Sequence, residues 1–292
     1  MFGGPRGRIM KAALVVNDRA GSLSGLVAPR ASLEAALRDA GFDLVAMATD
    51  ATLQDQWAAV AASPAEIVFV AGGDGTLRDG AERLIGTERI FAPLPGGTMN
   101  RVCARLGLSD DPVRAARDYR PGPSVALDVA TANGQVFLYQ SVVGAPTRLM
   151  RFREMQRGGG TRGWLPLARA LLRELFRPSS RGLSIRLGAG RRARGHAAVV
   201  TMPEPGRPAG LALALARPRG PRGRIRQAWR WFRGRLSEDP DVAAREGDRL
   251  AVHGSAPWLR LSLDGETRIS PSPVRFRLHR GALRVLAPPR AA

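Results

Sequence analysis

Two glycine turns hold the residues best suited to chemistry: Val70-Ala71-Gly72-Gly73-Asp74-Gly75-Thr76 and, about twenty residues on, Pro95-Gly96-Gly97-Thr98-Met99-Asn100. Each leaves a short apolar run. Together they supply backbone N–H groups, two hydroxyls, one carboxylate and one amide. Glycine lacks a Cβ, so its backbone takes conformations closed to other residues and lets another molecule come close. Successive N–H groups in such turns form an anion-binding concavity. A helix after each turn, from about Leu77 and from about Asn100, would aim its positive end at the same place. That is equipment for a polyphosphate. Asp74 repels phosphate directly, so its presence calls for a mediating Mg²⁺ or for a hydroxyl that it orients. Gly-Gly-Asp-Gly alone is also an ordinary strand-to-helix turn; the pair of turns favours the phosphate reading.

The elements that must position these turns alternate. Ala12–Val16, Leu44–Ala48, Ile67–Ala71 and Ile90–Leu94 read as strands, separated by helices near Arg30–Ala40, Leu53–Ala62 and Leu77–Ile85. That alternation predicts a parallel α/β sheet whose loops gather ligands at the carboxyl ends of the strands, where both glycine turns fall. After a helix near Val113–Tyr119, Pro121-Gly122-Pro123 marks a boundary. Beyond it strand-like runs dominate: Val125–Ala130, Gln135–Val143, Leu183–Leu187, Ala197–Met202, Leu211–Ala216, Arg249–His253, Leu259–Leu263, Val274–Leu278 and Leu283–Leu286. The expected architecture is α/β plus all-β: an α/β nucleotide-binding domain over residues 1–122, then an antiparallel β-sandwich over 123–292. Gly188-Ala189-Gly190-Arg191-Arg192-Ala193 satisfies a loose dinucleotide fingerprint, but no helical pattern follows, so it reads as a hairpin turn.

Composition narrows the partners. The chain has 292 residues, an apolar fraction of 44% and a formal charge of +20. No apolar run reaches the length of a membrane-spanning helix, and Asn17 and Asp18 end the first apolar run too soon for a signal peptide. Cys103 is the one cysteine, which excludes an intrachain disulfide and a cysteine-based zinc cluster. It reads as a core residue. His196, His253 and His279 lack metal-ligand spacing. Lys11 is the single lysine and stands in neither a Walker nor a protein-kinase signature, so phosphate must be held by backbone turns, hydroxyls, arginines and a metal. Such positive charge attracts a polyanion. With 5% aromatic residues and no nucleic-acid-binding signature, an anionic membrane surface is favoured over nucleic acid. Arg222 to Arg233 forms an amphipathic pattern, with Ile225, Trp229 and Phe232 on one face and Arg226, Arg230 and Arg233 on another. That pattern suits either a bilayer interface or a helix packing its Trp face on the core. Trp164 to Phe176, with Leu167, Leu171, Leu172 and Leu175, suits either a lipid cleft or core packing.

These residues resemble the diacylglycerol kinase catalytic family, which includes bacterial soluble lipid kinases and sphingosine and ceramide kinases. Gly72 to Thr76 matches the family's nucleotide loop, with Asp79 where glutamate is usual, and Pro95 to Asn100 with Ala104-Arg105 matches its second loop. Asn17 sits where the family has a turn under the nucleotide, and Asp264-Gly265-Glu266 resembles a late motif that returns to the active site. Asp18 replaces the family's usual proline, and Arg101 replaces an acidic residue. Ala209-Gly210 replaces Asp-Gly, which implies that a structural Mg²⁺ site of some relatives is missing.

The resemblance implies an ATP- and Mg²⁺-dependent kinase acting on diacylglycerol or a similar lipid alcohol, peripheral at the cytoplasmic membrane face and compatible with a homodimer. The nucleotide is expected between the domains, with part of the C-terminal chain returning toward the first. Asn17, Gly72, Gly73, Gly75, Thr76, Asp79, Gly97, Thr98, Asn100 and Glu266 are expected at the nucleotide, Asp74 and Glu266 at magnesium, and Asp264 as the base, a role Asp74 could also take. The alternatives are an NAD kinase-like enzyme, which shares Gly-Gly-Asp-Gly-Thr, and a noncatalytic nucleotide- or membrane-binding descendant.

Overall fold

The computed structural model describes residues 10–286 except 22, 26, 46–50, 145–181, 188–190, 219 and 234. The segment from Trp164 to Phe176 lies outside the described residues, as does most of the second expected strand. The chain divides into two compact units, one of residues up to Val129 together with those from Arg280, the other Ala130–His279.

In the first unit, β1 (Lys11–Val16), β2 (Asp43–Leu44), β3 (Ile67–Gly72) and β4 (Ile90–Pro95) lie parallel in the order β2-β1-β3-β4. Strands β1, β3 and β4 are almost wholly buried, which explains why they read as continuous apolar runs rather than alternating ones. One core joins Leu14, Phe69 and Ala92 to Leu33 and Leu37 of α1 (Pro29–Asp39) and Ala115 and Ala116 of α5 (Pro112–Asp118). On the other side of β3, Val70 packs near Gly80 and Trp57, which belong to α3 (Asp74–Leu84) and α2 (Leu53–Ala62). The α2 helix begins at a capping box. The Thr52 hydroxyl accepts the Asp55 N–H at 3.2 Å, and the Asp55 carboxylate accepts the Thr52 N–H at 3.2 Å. A five-residue helix, α4 (Arg101–Arg105), follows the second glycine turn.

The second unit is an antiparallel β-sandwich. Its six-stranded sheet runs β12 (Val242–Gly247), β11 (Leu211–Ala216), β10 (Ala197–Thr201), β7 (Gln140–Gly144), β14 (Trp258–Leu263), β15 (Glu266–Pro271). Facing it are β8 (Leu183–Leu187), β9 (Arg191–Gly195), β13 (Arg249–Gly254) and the first part of β16 (Val274–Leu286). Leu213, Leu215 and Leu261 from one sheet and Val252, Val274 and Phe276 from the other share one core, where Phe137 and Phe276 meet edge to face at 6.1 Å.

Several expectations need correction. Val274–Leu278 and Leu283–Leu286 are one strand, carried through Gly281 at φ 58 with its N–H donated to the Asp128 carboxylate at 2.8 Å. Gln135–Val143 is two strands, β6 (Gln135–Phe137) and β7, parted by a chain segment whose N–H groups turn to Asp264. The helix after the first glycine turn begins at Asp74, not Leu77. The strands β9, β12 and β15 escaped notice because their sequences, RRARG, VAAREG and ETRISP, are polar, as suits sheet-edge positions.

The amphipathic pattern is realised as α6 (Gly220–Phe232), held by its polar side. The Arg226 guanidinium donates to Asp239 at 2.7 and 3.2 Å and to Asp241 at 2.6 Å, and the Gln227 amide donates to Asp239 at 3.2 Å. Asp239 is buried, and the Arg226 hydrogen bonds hold its carboxyl down at about 2. A carboxylate held below its ordinary value stabilises the fold above that value, and the contribution is lost as pH falls through the lowered one. The protection of the α6 amides, relative to their intrinsic exchange rates, should therefore hold at pH 5 and fall as the pH drops from about 4 toward 2. Asp239→Asn should lower that protection already at neutral pH.

Candidate functional site

The first unit brings three turns together. At the end of β1 the Asn17 N–H donates to the Ala71 carbonyl of β3 at 2.9 Å, and its side-chain amide donates to the Thr76 hydroxyl at 2.9 Å. A methyl built on Gly21 would lie 3.0 Å from the Thr98 hydroxyl and 3.3 Å from the Thr98 nitrogen. The two glycine loops touch directly. A methyl on Gly97 would lie 2.7 Å from the Gly73 Cα, and one on Gly96 would lie 2.9 Å from Gly72 and 2.6 Å from Leu23. No side chain approaching so near is tolerated, so glycine is required here for closeness rather than for a positive φ.

Asp74 is the first residue of α3, whose N-cap, Gly73, offers no side chain, and its carboxylate accepts the Val102 N–H at 3.0 Å in the first turn of α4. One carboxylate thus stands at two helix starts, where the positive ends of both dipoles favour it. Asn100 takes the left-handed conformation at φ 46, and its side-chain carbonyl accepts the Gly97 N–H at 2.8 Å. Asn100 thereby shapes its own loop, and its side-chain carbonyl engages one of the N–H groups of the second glycine turn. Gly73, Gly75, Thr76 and Asn17 are half-buried and Thr98 is exposed. Asp79 lies on the solvent side of α3, where it pairs with Arg83 at 3.0 Å.

Asp264 and Glu266 belong to the second unit. Asp264 lies in the turn from β14 to β15 at φ 47, and its carboxylate accepts the N–H groups of Leu138 at 2.7 Å, Tyr139 at 2.8 Å and Gln140 at 2.9 Å. These bonds fix its orientation and direct the chain into β7. Glu266 pairs with Arg268 at 3.1 Å. Among the described residues no group of three or more His, Cys, Asp or Glu could hold a metal by itself.

Sequence reasoning missed the residues that brace these turns. Buried Gln56 accepts the Val16 N–H at 2.8 Å and donates to the Val16 carbonyl at 3.1 Å, while Arg30 donates to Gln56 at 2.8 Å and to the Leu14 carbonyl at 3.2 Å. An amide four residues before buried Val60, on the inward face of α2, was the available signal. Below the second loop Tyr119 donates to the Pro93 carbonyl at 3.1 Å and stacks edge-on to Phe69 at 5.5 Å; burial pushes its phenol up, so it stays a donor. Burial, with Asp74 and Asp110 adding to it, also pushes the Cys103 thiol up, consistent with an inert core residue.

Residues 11–132 match the diacylglycerol kinase catalytic domain. That stretch contains the first turn and both glycine loops. A diacylglycerol kinase structure from Bacillus anthracis str. Sterne has a TM-score of 0.66 at 20% identity, covering 98% of this chain and 100% of that one. A second structure from the same organism gives 0.65 at 21%, with the same coverage. At those identities the likeness is one of fold, and it extends past the matched domain through the β-sandwich. Over residues 11–132 the chain thus matches that catalytic domain, and over its length it shares the fold of those solved structures.

The glycine contacts make an asymmetric prediction. Gly97→Ala drives a methyl into the Gly73 backbone and should lower stability by about 1–3 kcal/mol. Gly73→Ala meets Gly97 only at 3.5 Å, an ordinary contact, and should cost less. Thermal unfolding of both variants checks the order.

Proposed function

We propose that this chain is an ATP-dependent lipid kinase, transferring the γ-phosphoryl group to a hydroxyl of diacylglycerol or a related long-chain alcohol. The observation that carries the reading is the contact among three turns in the first unit: Gly97 on Gly73, Gly21 on Thr98 and Asn17 on Thr76. Beside these contacts Gly73, Gly75 and Thr76 are only half-buried, so their backbone can be reached by a ligand, and the N-cap of α3 makes no side-chain hydrogen bond. Both features suit a polyphosphate. In this reading Gly72, Gly73, Gly75, Thr76, Gly97 and Thr98 hold the nucleotide, Asn17 steadies the Thr76 hydroxyl, and Asn100 acts by shaping the second loop. Asp79 contributes from α3 by resemblance.

Phosphoryl transfer depends chiefly on positioning and on neutralising charge. Magnesium bound with the nucleotide would supply that neutralisation. The residues fit such an ion, because Mg²⁺ bound with nucleotide uses one or two carboxylates plus phosphate oxygens rather than an all-protein cage. Asp74 supplies one carboxylate and Glu266, by resemblance, another. Asp264 receives the lipid hydroxyl's proton in the same reading, with Asp74 the other carboxylate suited to the task. The reading places the chain in the cytoplasm, where ATP is available, against the inner leaflet. No described helix is long and apolar enough to cross a membrane.

A panel of dispersed diacylglycerol, a sphingosine-type lipid and NAD, each with ATP and Mg²⁺, tests the proposal. Phosphorylation of a lipid is expected. Turnover of NAD alone would point to an NAD kinase, and nucleotide binding without turnover of any acceptor to a noncatalytic descendant. Asp74→Asn should lower transfer by about a hundredfold or more. Asp264→Asn should do the same, but its loss also disturbs three backbone hydrogen bonds. The base role therefore requires that the low-pH limb of the rate profile vanish in a variant that still unfolds cooperatively.

A further inference from the structure

The α6 helix is docked the wrong way round for a helix that packs on a core. Its polar side faces the protein: Arg226, Gln227 and Arg230 converge on Asp239, with Arg230 also donating to the Glu238 carbonyl at 2.6 Å. Its apolar side faces out, with Ile225 and Trp229, one turn apart, 55% and 57% exposed. Scattered exposed hydrophobic residues are ordinary, but an amphipathic helix with its apolar stripe turned to solvent is not.

The surroundings are cationic. Between Gly220 and Asp241 six arginines face three carboxylates, and those carboxylates are engaged with Arg226, Arg230 and Arg235. Arg222 is exposed, and the Arg233 guanidinium lies 4.6 Å above the Trp229 ring, placing a cation beside the indole. The 3₁₀ turn Leu236–Glu238 that follows α6 packs Leu236 against Val142 and Val199 of the six-stranded sheet. Val142 and Val199 are paired residues on the side of that sheet turned away from the sandwich core. The same side carries Trp258, Arg260 and Ile269, with Arg260 and Ile269 paired across β14 and β15 and both aromatic and aliphatic groups more than half exposed.

We infer that α6 is a membrane-docking helix, which sinks Ile225 and Trp229 into the interface of an anionic bilayer while Arg222 and Arg233 meet its lipid phosphates. Tryptophan beside arginine suits the headgroup zone, where one end of the ring is apolar and the other polar. Arginines near an anionic leaflet add attraction that salt screens. The Asp239 anchor gives the helix a fixed attitude in advance, so little ordering is needed on binding. This names the partner surface of the lipid-kinase reading, but the docking itself is independent of nucleotide.

The test is flotation of the full chain with vesicles of phosphatidylcholine alone or mixed equally with phosphatidylglycerol, without ATP. The wild-type chain should float with the anionic vesicles and lose that binding at high salt. Ile225→Ser with Trp229→Ser should weaken it by about tenfold or more, whereas Trp229→Phe should retain it. The double variant should still phosphorylate a water-soluble short-chain diacylglycerol as the wild type does, because neither residue belongs to the nucleotide turns. Vesicle binding by a chain that phosphorylates nothing would defeat the kinase reading and leave the docking surface standing. Unchanged flotation of the double variant would overturn the inference. So would failure of the wild type to bind anionic vesicles, or a lipid-free dimer that the double substitution splits. Loss of binding only on substituting Arg249, Arg275 and Arg277 would also overturn it, by placing the membrane on the opposite sheet.

Discussion

The first unit is organised around one close approach, in which the backbone of Gly72-Gly73 meets that of Gly96-Gly97. The parallel pairing of β3 and β4 runs through Gly72 and Pro95, and past that pair the two chains turn across each other instead of spreading apart. A side chain on Gly96 or Gly97 would force them apart, because its first carbon would lie 2.9 Å from Gly72 or 2.7 Å from Gly73. Because they meet, α3 starts at once on Asp74, and the Asp74 carboxylate reaches the start of α4. The first turn is drawn in by the same contact, through Asn17 on Thr76 and Gly21 on Thr98. A carboxylate fixed at two helix starts also sets the local electrostatics, since an incoming phosphate shares those helix ends with a negative charge. That is the physical reason for expecting a cation with the nucleotide rather than bare phosphate.

An aspartate organises the second unit too, by a different device. Asp264 sits in a left-handed turn and gathers three successive N–H groups from the chain between β6 and β7. Its own N–H donates to the Gln140 carbonyl at 2.9 Å, so the turn and the start of β7 are bound in both directions. A residue holding a hairpin together in this way is sensitive to any substitution, whether or not it touches substrate. Activity loss alone therefore says little about its chemistry.

Much of this was legible in the sequence, and the rest was hidden for identifiable reasons. Strands β1, β3 and β4 are buried on both faces, so their apolar runs announced them; the glycine turns showed through residue types that only close approach or phosphate explains. The edge strands β9 and β12 carry arginines toward solvent and lack that contrast. Partners distant in sequence were also invisible. Nothing local in Gln135–Val143 signals that Asp264 will interrupt it, and nothing near Asn100 shows that its side-chain carbonyl will accept the Gly97 N–H. Gln56 gave a faint signal, as a polar side chain on an inward helix face, but its target on β1 could not be read.

The orientation of α6 illustrates the general limit. An amphipathic wheel states that two faces differ and is silent about which one turns inward, since apolar burial is the usual answer only when nothing else competes. Here the competitor is Asp239, thirteen positions beyond Arg226. A carboxylate with no exposed side-chain surface is costly to bury alone, and Arg226, Arg230 and Gln227 on one side of α6 are the groups that satisfy it. Rotating the helix to bury Trp229 would break those bonds and leave the charge stranded, a loss of several kcal/mol by the usual measure of broken buried pairs (about 3–5 kcal/mol). Sinking one isoleucine and one tryptophan into a core gains about 1.5–3 kcal/mol for each such side chain, less where half the surface is already covered. The polar anchor prevails over the apolar stripe, and the stripe is left facing outward as a consequence of how the helix is held.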